Sequence, residues 1–161
     1  VSMPLIFVFL TFTVFAYILG NINFSNYLLI NYIPGSGEIV IFCTSAIGGI
    51  LGFLWFNSSP ATIFMGDTGS QSLGASLAVT SILLKQEFVL AIAGGLFVIE
   101  TLSVMIQVIF FKLTKGRRFF LMAPLHHHYE KKGLSEQKIV IRFWIISFLF
   151  CLLALSLLKI R

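Results

Sequence analysis

Two short polar stretches interrupt an otherwise apolar chain, and both contain side chains that can do chemistry. The first is MGDTGS at residues 65–70, which holds the only aspartate of the protein, Asp67, between two glycines. Mg²⁺ takes one or two protein carboxylates and completes its shell with water and phosphate oxygens, and glycines let a backbone approach a ligand closely. The stretch therefore predicts a cation or phosphate site. It is not a P-loop, because no Gly-Lys-Ser/Thr follows.

A structural role for Asp67 remains open from the spacing alone. An aspartate directly ahead of a helix can cap the first backbone N–H groups, and glycines on either side would allow the turn. We expect the helix to begin near residues 68–70. Both interpretations place Asp67 at the mouth of an apolar span.

The second stretch is MAPLHHHYEKKG at residues 122–133, with three consecutive histidines. Adjacent side chains point in different directions, so we do not expect all three to bind one metal ion. Imidazoles titrate near neutrality, and we expect one or two of them to donate to an anionic substrate or to relay protons. For the basic side chains just before this stretch we expect contacts with anionic lipid headgroups. These are Lys112, Lys115, Arg117 and Arg118.

A third set of polar residues lies inside an apolar run. Glu100, Ser103 and Gln107 recur at helical spacing and form a polar stripe. An acidic residue in a membrane helix should face protein or a water-filled cavity, and a structural role for Glu100 is as open as a catalytic one. Gln107 lies nearer the basic segment and is the better candidate for contact with a ligand.

The elements that must position these residues are transmembrane helices. The chain has 161 residues, 58% of them hydrophobic and only 11% charged, and its mean hydropathy is +0.99. About 20 apolar residues cross a bilayer as a helix. The sequence therefore predicts an all-α, polytopic integral membrane protein, a single membrane domain over 1–161, with no nucleic-acid partner. We expect about five spans, near residues 3–19, 39–56, 70–84, 88–111 and 139–158.

Smaller features complete the predicted architecture. The glycines of the second span suit close helix contact, and residues 28–33 could pair as a short strand of a hairpin. Cys43 and Cys151 each lie in an apolar run and are interpreted as small buried hydrophobic residues.

The basic residues indicate an orientation. Eight of the eleven Lys and Arg residues lie between Lys112 and Arg142, and positive charge is enriched in cytoplasmic loops. Alternation of five spans then makes both loop 57–69 and loop 112–138 cytoplasmic. The aspartate and the histidines would share one face of the membrane.

Five strings carry a resemblance to a known family: FNSSPATIFMGDTGSQSLG, QEFVL, ETLSVMIQV, MAPLHHHYEKKG and IVIRFWIIS. In order and spacing they resemble the C-terminal half of the bacterial phospho-N-acetylmuramoyl-pentapeptide transferases, a branch of the polyprenyl-phosphate sugar-phosphate transferases. The resemblance covers essentially the whole chain. It implies a multi-pass enzyme of the bacterial cytoplasmic (inner) membrane, a homodimer when complete. With Mg²⁺, such an enzyme transfers phospho-MurNAc-pentapeptide from UDP-MurNAc-pentapeptide to undecaprenyl phosphate, giving lipid I and UMP for peptidoglycan synthesis.

The resemblance also implies roles for individual residues. Asp67 corresponds to a catalytic, Mg²⁺-linked aspartate, and His126 and His127 correspond to catalytic histidines. The implied substrate-binding residues are Phe64 against the uracil, Asn57 and Gln107 in the nucleotide pocket, and His128. Members of the family have about ten spans and carry an aspartate pair and an Asn/Asp-rich motif in an N-terminal half. Neither motif occurs here, so we expect a truncated chain that is inactive without that half.

Two other classes of protein remain open. A transporter-like piece is suggested by Glu100 and the glycine-rich helices, but it would need a polar path to the outer face. The predicted outward loops hold only Glu38, Lys85 and Glu87 as charged residues. A non-catalytic membrane scaffold or dimerisation remnant is the other alternative.

Overall fold

Helices account for the secondary structure throughout the described chain. The computed structural model describes residues 2–57, 62–114 and 119–159, and within these ranges it contains no strand. The helices are α1 (Ser2–Leu19), α2 (Ile22–Leu28), α3 (Ser36–Asn57), α4 (Asp67–Leu83), α5 (Glu87–Ala93), α6 (Gly95–Leu113), α7 (Leu125–Lys131) and α8 (Glu136–Ser156), which a 3₁₀ turn at Leu157–Lys159 extends. The predicted all-α fold is confirmed. The lipid contacts predicted for Lys115, Arg117 and Arg118 lie outside the described residues.

Four of these helices are long and apolar enough to cross a membrane: α1, α3, α6, and α8 with its 3₁₀ extension. They make the chain a polytopic membrane protein. The third predicted span corresponds to α4, which has 17 residues and is about 25 Å long. That length is short of a typical 30 Å hydrocarbon core, so a crossing by α4 stays a prediction.

Helix α1 forms the centre of the bundle. Val8, Phe9 and Phe12 are fully buried along it, and α3 packs against it in the opposite direction. At their junction the Ser36 hydroxyl donates to the Ala16 carbonyl at 3.1 Å. A Cβ on Gly20 would lie 2.8 Å from the Gly37 backbone nitrogen, so only glycine permits this close approach.

The packing brings both polar stretches to the same end of the bundle. Helix α8 runs parallel to α1, because Phe7 contacts Phe148 with ring centroids 5.5 Å apart and Cys151 lies beside Thr11 one turn further along. The end of the antiparallel α3 and the beginning of α8 therefore lie at the end where α1 begins. Seven residues separate the MGDTGS turn from the end of α3, and the histidine stretch precedes α8.

The fourth predicted span differs from expectation, because residues 88–111 belong to two helices. The break lies at Gly94, whose ψ of 12° departs from helical geometry. Glycine has low helix propensity, and the pair Gly94-Gly95 weakens the helix at this point. Hydrogen bonds from the Gly94 N–H to Leu90 and from the Val98 N–H to the Gly94 carbonyl keep the backbone satisfied. The apolar pattern gave no sign of this break.

Two further expectations are wrong. Residues 28–33 form no strand, because Leu28 is the last residue of helix α2. The Asn21 side chain caps α2 by accepting from the Asn23 N–H at 3.0 Å. Of the small residues in the second span, Ala46 packs against the core, whereas a Cβ on Gly48, Gly49 or Gly52 would have no neighbour within 4 Å among the described residues, so these glycines mediate no close helix contact there. The interpretation of Cys43 and Cys151 is confirmed, since both are buried and free.

Candidate functional site

Asp67 occupies the first residue of α4, and the capping interpretation is wrong. The N-cap position belongs to Gly66, which has an extended backbone (φ −74°, ψ 175°). The helix therefore begins one residue earlier than predicted. A side chain caps a helix from the N-cap position, and a glycine offers none. The Asp67 side chain is exposed and makes no hydrogen bond or ion pair within the described ranges. Its carboxylate oxygens are therefore free to bind an external ligand.

The loop that leads to Asp67 is closed by hydrogen bonds to the end of α3. The Asn57 side-chain amide donates to the Ile63 carbonyl at 2.6 Å, and the Thr62 hydroxyl donates to the Phe56 carbonyl at 2.7 Å. Asn57 thus has a structural function here, and its predicted place in a nucleotide pocket stays a prediction. Phe64 is 79% exposed, so its ring is available for stacking.

The histidine stretch folds back along α6 and does not extend away from the end of that helix. Gln107 accepts a hydrogen bond from the Phe120 N–H at 2.8 Å, and two helical turns earlier Glu100 pairs with His126 at 3.3 Å. Phe119 packs edge-on against Phe110 of α6. The polar stripe predicted from sequence is therefore the surface that holds residues 119–126.

The three histidines have three different environments, although they are consecutive on α7. His126 is paired with Glu100 of α6, whereas His127 is paired at 2.7 Å with Glu130 of its own helix. The Nδ1 atom of His128 accepts from the Leu121 N–H at 3.2 Å. Successive helical side chains are about 100° apart, which separates the three rings. Among the three rings, His126 is the one that pairs with a membrane-spanning helix within the described residues.

A cavity of about 450 Å³ lies between α6 and the start of the histidine stretch. Its lining includes Gln107 and Lys112 from α6 and Met122 from the returning segment. The Oε1 atom of Gln107 already accepts from Phe120, so a contact between Gln107 and substrate, which stays a prediction, would use the amide nitrogen. Lys112 gives the cavity a positive charge suited to an anionic ligand.

Asp67 is the candidate protein ligand to Mg²⁺ in this chain. Within the described ranges no group of three or more His, Cys, Asp or Glu side chains is placed to hold a metal ion. The exposed carboxylate of Asp67 still fits a single Mg²⁺ ligand, because this ion keeps several waters and binds substrate phosphates. Asp67 is thus compatible with a single ligand position of such a site.

Sequence reasoning missed the role of Glu130. Its carboxylate pairs with His127 three residues before it, and residues at i and i+3 are neighbours on a helix. The spacing would have predicted this pair had residues 125–131 been recognised as helical. Proline ahead of the stretch was the available signal, since proline is common at helix starts.

Comparison with known proteins agrees with this architecture. The model of glycosyl transferase family 4 matches residues 1–85. The phospho-N-acetylmuramoyl-pentapeptide-transferase of Desulfosudis oleivorans is 58% identical over all 161 residues, which cover 45% of that relative. Relatives of the same name from Rickettsia bellii and Rickettsia massiliae are 59% identical over 94% of the chain and 56% identical over 99% of it, and the matches cover 42% and 44% of those proteins.

The chain therefore spans less than half the length of the curated relatives it matches. The family model nevertheless covers more than half of the chain itself, from the central helix α1 through α4. This polytopic helical chain belongs to glycosyl transferase family 4.

Proposed function

We propose that this chain is part of a phospho-N-acetylmuramoyl-pentapeptide transferase, contributing one wall of its active site. One observation carries the proposal: Asp67, which is exposed and has no partner among the described residues, lies at the same end of the membrane bundle as a histidine helix that is paired with α6. The identity of 56–59% to relatives of that name supports the same function. Because those relatives are more than twice as long, we propose the activity for this chain together with the N-terminal half that the resemblance implies.

In the proposed reaction, a phosphate oxygen of undecaprenyl phosphate attacks the sugar-bearing phosphorus of UDP-MurNAc-pentapeptide. A new P–O bond forms, and the bond from that phosphorus to the bridging oxygen breaks, so that oxygen leaves with UMP. Charge on the transferring group must be stabilised by fixed donors and cations. His126 and His127 are proposed to donate to its oxygens, and Lys112 attracts the anionic substrate.

Asp67 is proposed as the chain's ligand to Mg²⁺. The bound ion would neutralise phosphate charge in the transfer. The carboxylate supports this role, because within the described residues no internal donor competes for its oxygens. Phe64 is proposed to stack on the uracil, with Asn57, Gln107 and His128 as further substrate contacts.

We further propose that the protein is inserted in the bacterial cytoplasmic membrane with loops 57–69 and 112–138 on the cytoplasmic side. The UDP-linked substrate is soluble and would reach the site from that side. The cluster of basic residues between 112 and 142 supports this orientation. The complete protein is proposed to form a homodimer.

The test is Mg²⁺-dependent release of UMP from UDP-MurNAc-pentapeptide in membranes that contain undecaprenyl phosphate. The chain would be assayed alone and co-expressed with the N-terminal half of a relative. We expect activity only on co-expression, and a rate about 10²- to 10³-fold lower when the co-expressed chain carries Asp67→Asn. Turnover by the chain alone would contradict the proposed division of the site. Stable insertion of both halves without turnover would favour a non-catalytic scaffold.

A further inference from the structure

The pair formed by Glu100 and His126 joins α6 to the histidine helix. The Oε2 atom of Glu100 lies 3.3 Å from Nδ1 of His126, and the two side chains are 20% and 40% exposed. The other carboxylate oxygen, Oε1, is buried and has no hydrogen-bond partner. The nearby Ser103 hydroxyl does not help, because it donates to the Glu100 backbone carbonyl at 2.6 Å. Within the described ranges, His126 is the sole partner of this carboxylate.

The chemistry of the pair determines which ring nitrogen carries the proton. Where the Glu100 carboxylate is ionised it only accepts hydrogen bonds, and Nδ1 of His126 is then the donor. In the neutral ring the other nitrogen, Nε2, then has a free lone pair and lies on the side of the ring away from Nδ1. Carboxylates that fix the tautomer and orientation of a working histidine in this way are common in catalytic and metal sites.

We infer that Glu100 is a positioning residue, which holds His126 as the Nδ1–H tautomer and turns Nε2 toward the reacting phosphates. The role of His126 in this inference rests on the proposed function. The Nδ1–H tautomer does not depend on that function. When the ring is protonated, the same carboxylate balances its charge while Nε2–H donates to a phosphate oxygen. Glu100 acts through His126 in both states and does not touch substrate.

The neighbouring pair on α7 offers a matched control. Glu130 also binds the Nδ1 atom of a histidine, His127, at 2.7 Å, but it belongs to the same short helix and is 38% exposed. It moves with His127 and therefore cannot fix that ring relative to α6. Loss of Glu130 should leave the orientation of His126 unchanged.

The first test is spectroscopic and needs no turnover. The chain is labelled with ¹⁵N-histidine, placed in lipid nanodiscs, and its ring-nitrogen shifts are measured at about pH 8.5, where an ordinary imidazole is neutral. We expect His126 to be protonated at Nδ1, and Glu100→Leu to shift it toward protonation at Nε2. Glu100→Gln, which keeps an acceptor oxygen, should retain much of the Nδ1–H form. Glu130→Leu should alter only the signals of His127.

Protonation of His126 at Nε2 in the unsubstituted chain, or no change on Glu100→Leu, would overturn the inference. Leucine removes a partly buried charge, so it should not impair insertion. If the leucine variant nevertheless fails to fold, the unsubstituted chain and the glutamine variant still decide the tautomer.

The second test uses the chain co-expressed with an N-terminal half. We expect Glu100→Leu to lower kcat about 10- to 100-fold, the usual effect of removing a residue that orients a functional histidine, with little change in KM. Glu100→Gln should recover part of the loss. A Glu100→Leu enzyme with normal kcat would contradict the positioning role. If the two halves without substitutions are inactive together, the proposed function is contradicted. The tautomer measurement does not need turnover and would still test the inference.

Discussion

The two polar regions at one end of the bundle are built in opposite ways. The aspartate turn is open: Asp67 has no internal partner within the described ranges, and Phe64 nearby is mostly exposed. The histidine stretch is held, since Gln107 binds the backbone of Phe120 and Glu100 binds the ring of His126.

The difference indicates what each region needs from outside the chain. A carboxylate that accepts no internal hydrogen bonds can bind a cation, or a donor from another segment, without breaking an existing contact. An imidazole that must act in a fixed direction needs internal contacts, because a misplacement of about 1 Å can lower a rate about 100-fold. Four substitutions test this contrast, each in the chain co-expressed with an N-terminal half.

Asp67→Asn should have the largest effect. Asparagine keeps the shape but removes the charge, and we expect UMP release to fall about 10²- to 10³-fold, the size of effect seen when a key electrostatic contact is lost. Helix content and thermal unfolding should not change, because the carboxylate has no internal partner in the part of the chain that the structure describes. A near-normal rate would contradict the metal role, and a lowered Tm would show that the turn is not as open as described.

His126→Asn separates the two functions of this ring. The asparagine amide can still donate to Glu100, but it has no counterpart of Nε2, so we expect a rate loss of about 100-fold with a Tm near that of the unsubstituted protein. His126→Ala should lose as much activity and also lower the Tm, since it leaves the Glu100 carboxylate without a partner. Equal Tm values for the two variants would mean that the Glu100 contact adds no stability.

Phe64→Leu should have a smaller effect, confined to binding. Stacking of a base on an aromatic ring contributes about 1–3 kcal/mol, so we expect KM for the UDP-linked substrate to rise about tenfold with kcat unchanged. Phe64→Tyr keeps the aromatic face and serves as the control. An unchanged KM in the leucine variant would contradict stacking on the uracil.

Gln107→Leu should have the smallest effect of the four. It removes one hydrogen bond to the Phe120 N–H, worth about 1 kcal/mol, and we expect faster amide hydrogen exchange at Phe120 with a rate loss of only a few-fold. Gln107→Glu keeps the acceptor and should preserve protection of that amide. A large rise in KM with normal exchange would instead support direct contact between Gln107 and substrate.

The sequence alone predicted the helical membrane architecture and the residues capable of chemistry. Apolar runs of about 20 residues leave a bilayer chain few alternatives to helices, and chemical type identified Asp67, the histidines and the stripe that begins at Glu100. The sequence did not correctly predict that Asp67 is the first residue of α4, or that the fourth span breaks at Gly94. At both places single residues decided the local geometry.

Tertiary structure decided which of these polar groups meet. Glu100 and His126 are 26 residues apart, and no local pattern predicts that residues 119–126 turn back along α6. That path depends on contacts between segments, such as Phe120 with Gln107 and Phe119 with Phe110. Composition and helical period are properties of the chain and can be read from it, whereas the partner of a side chain depends on how distant segments pack.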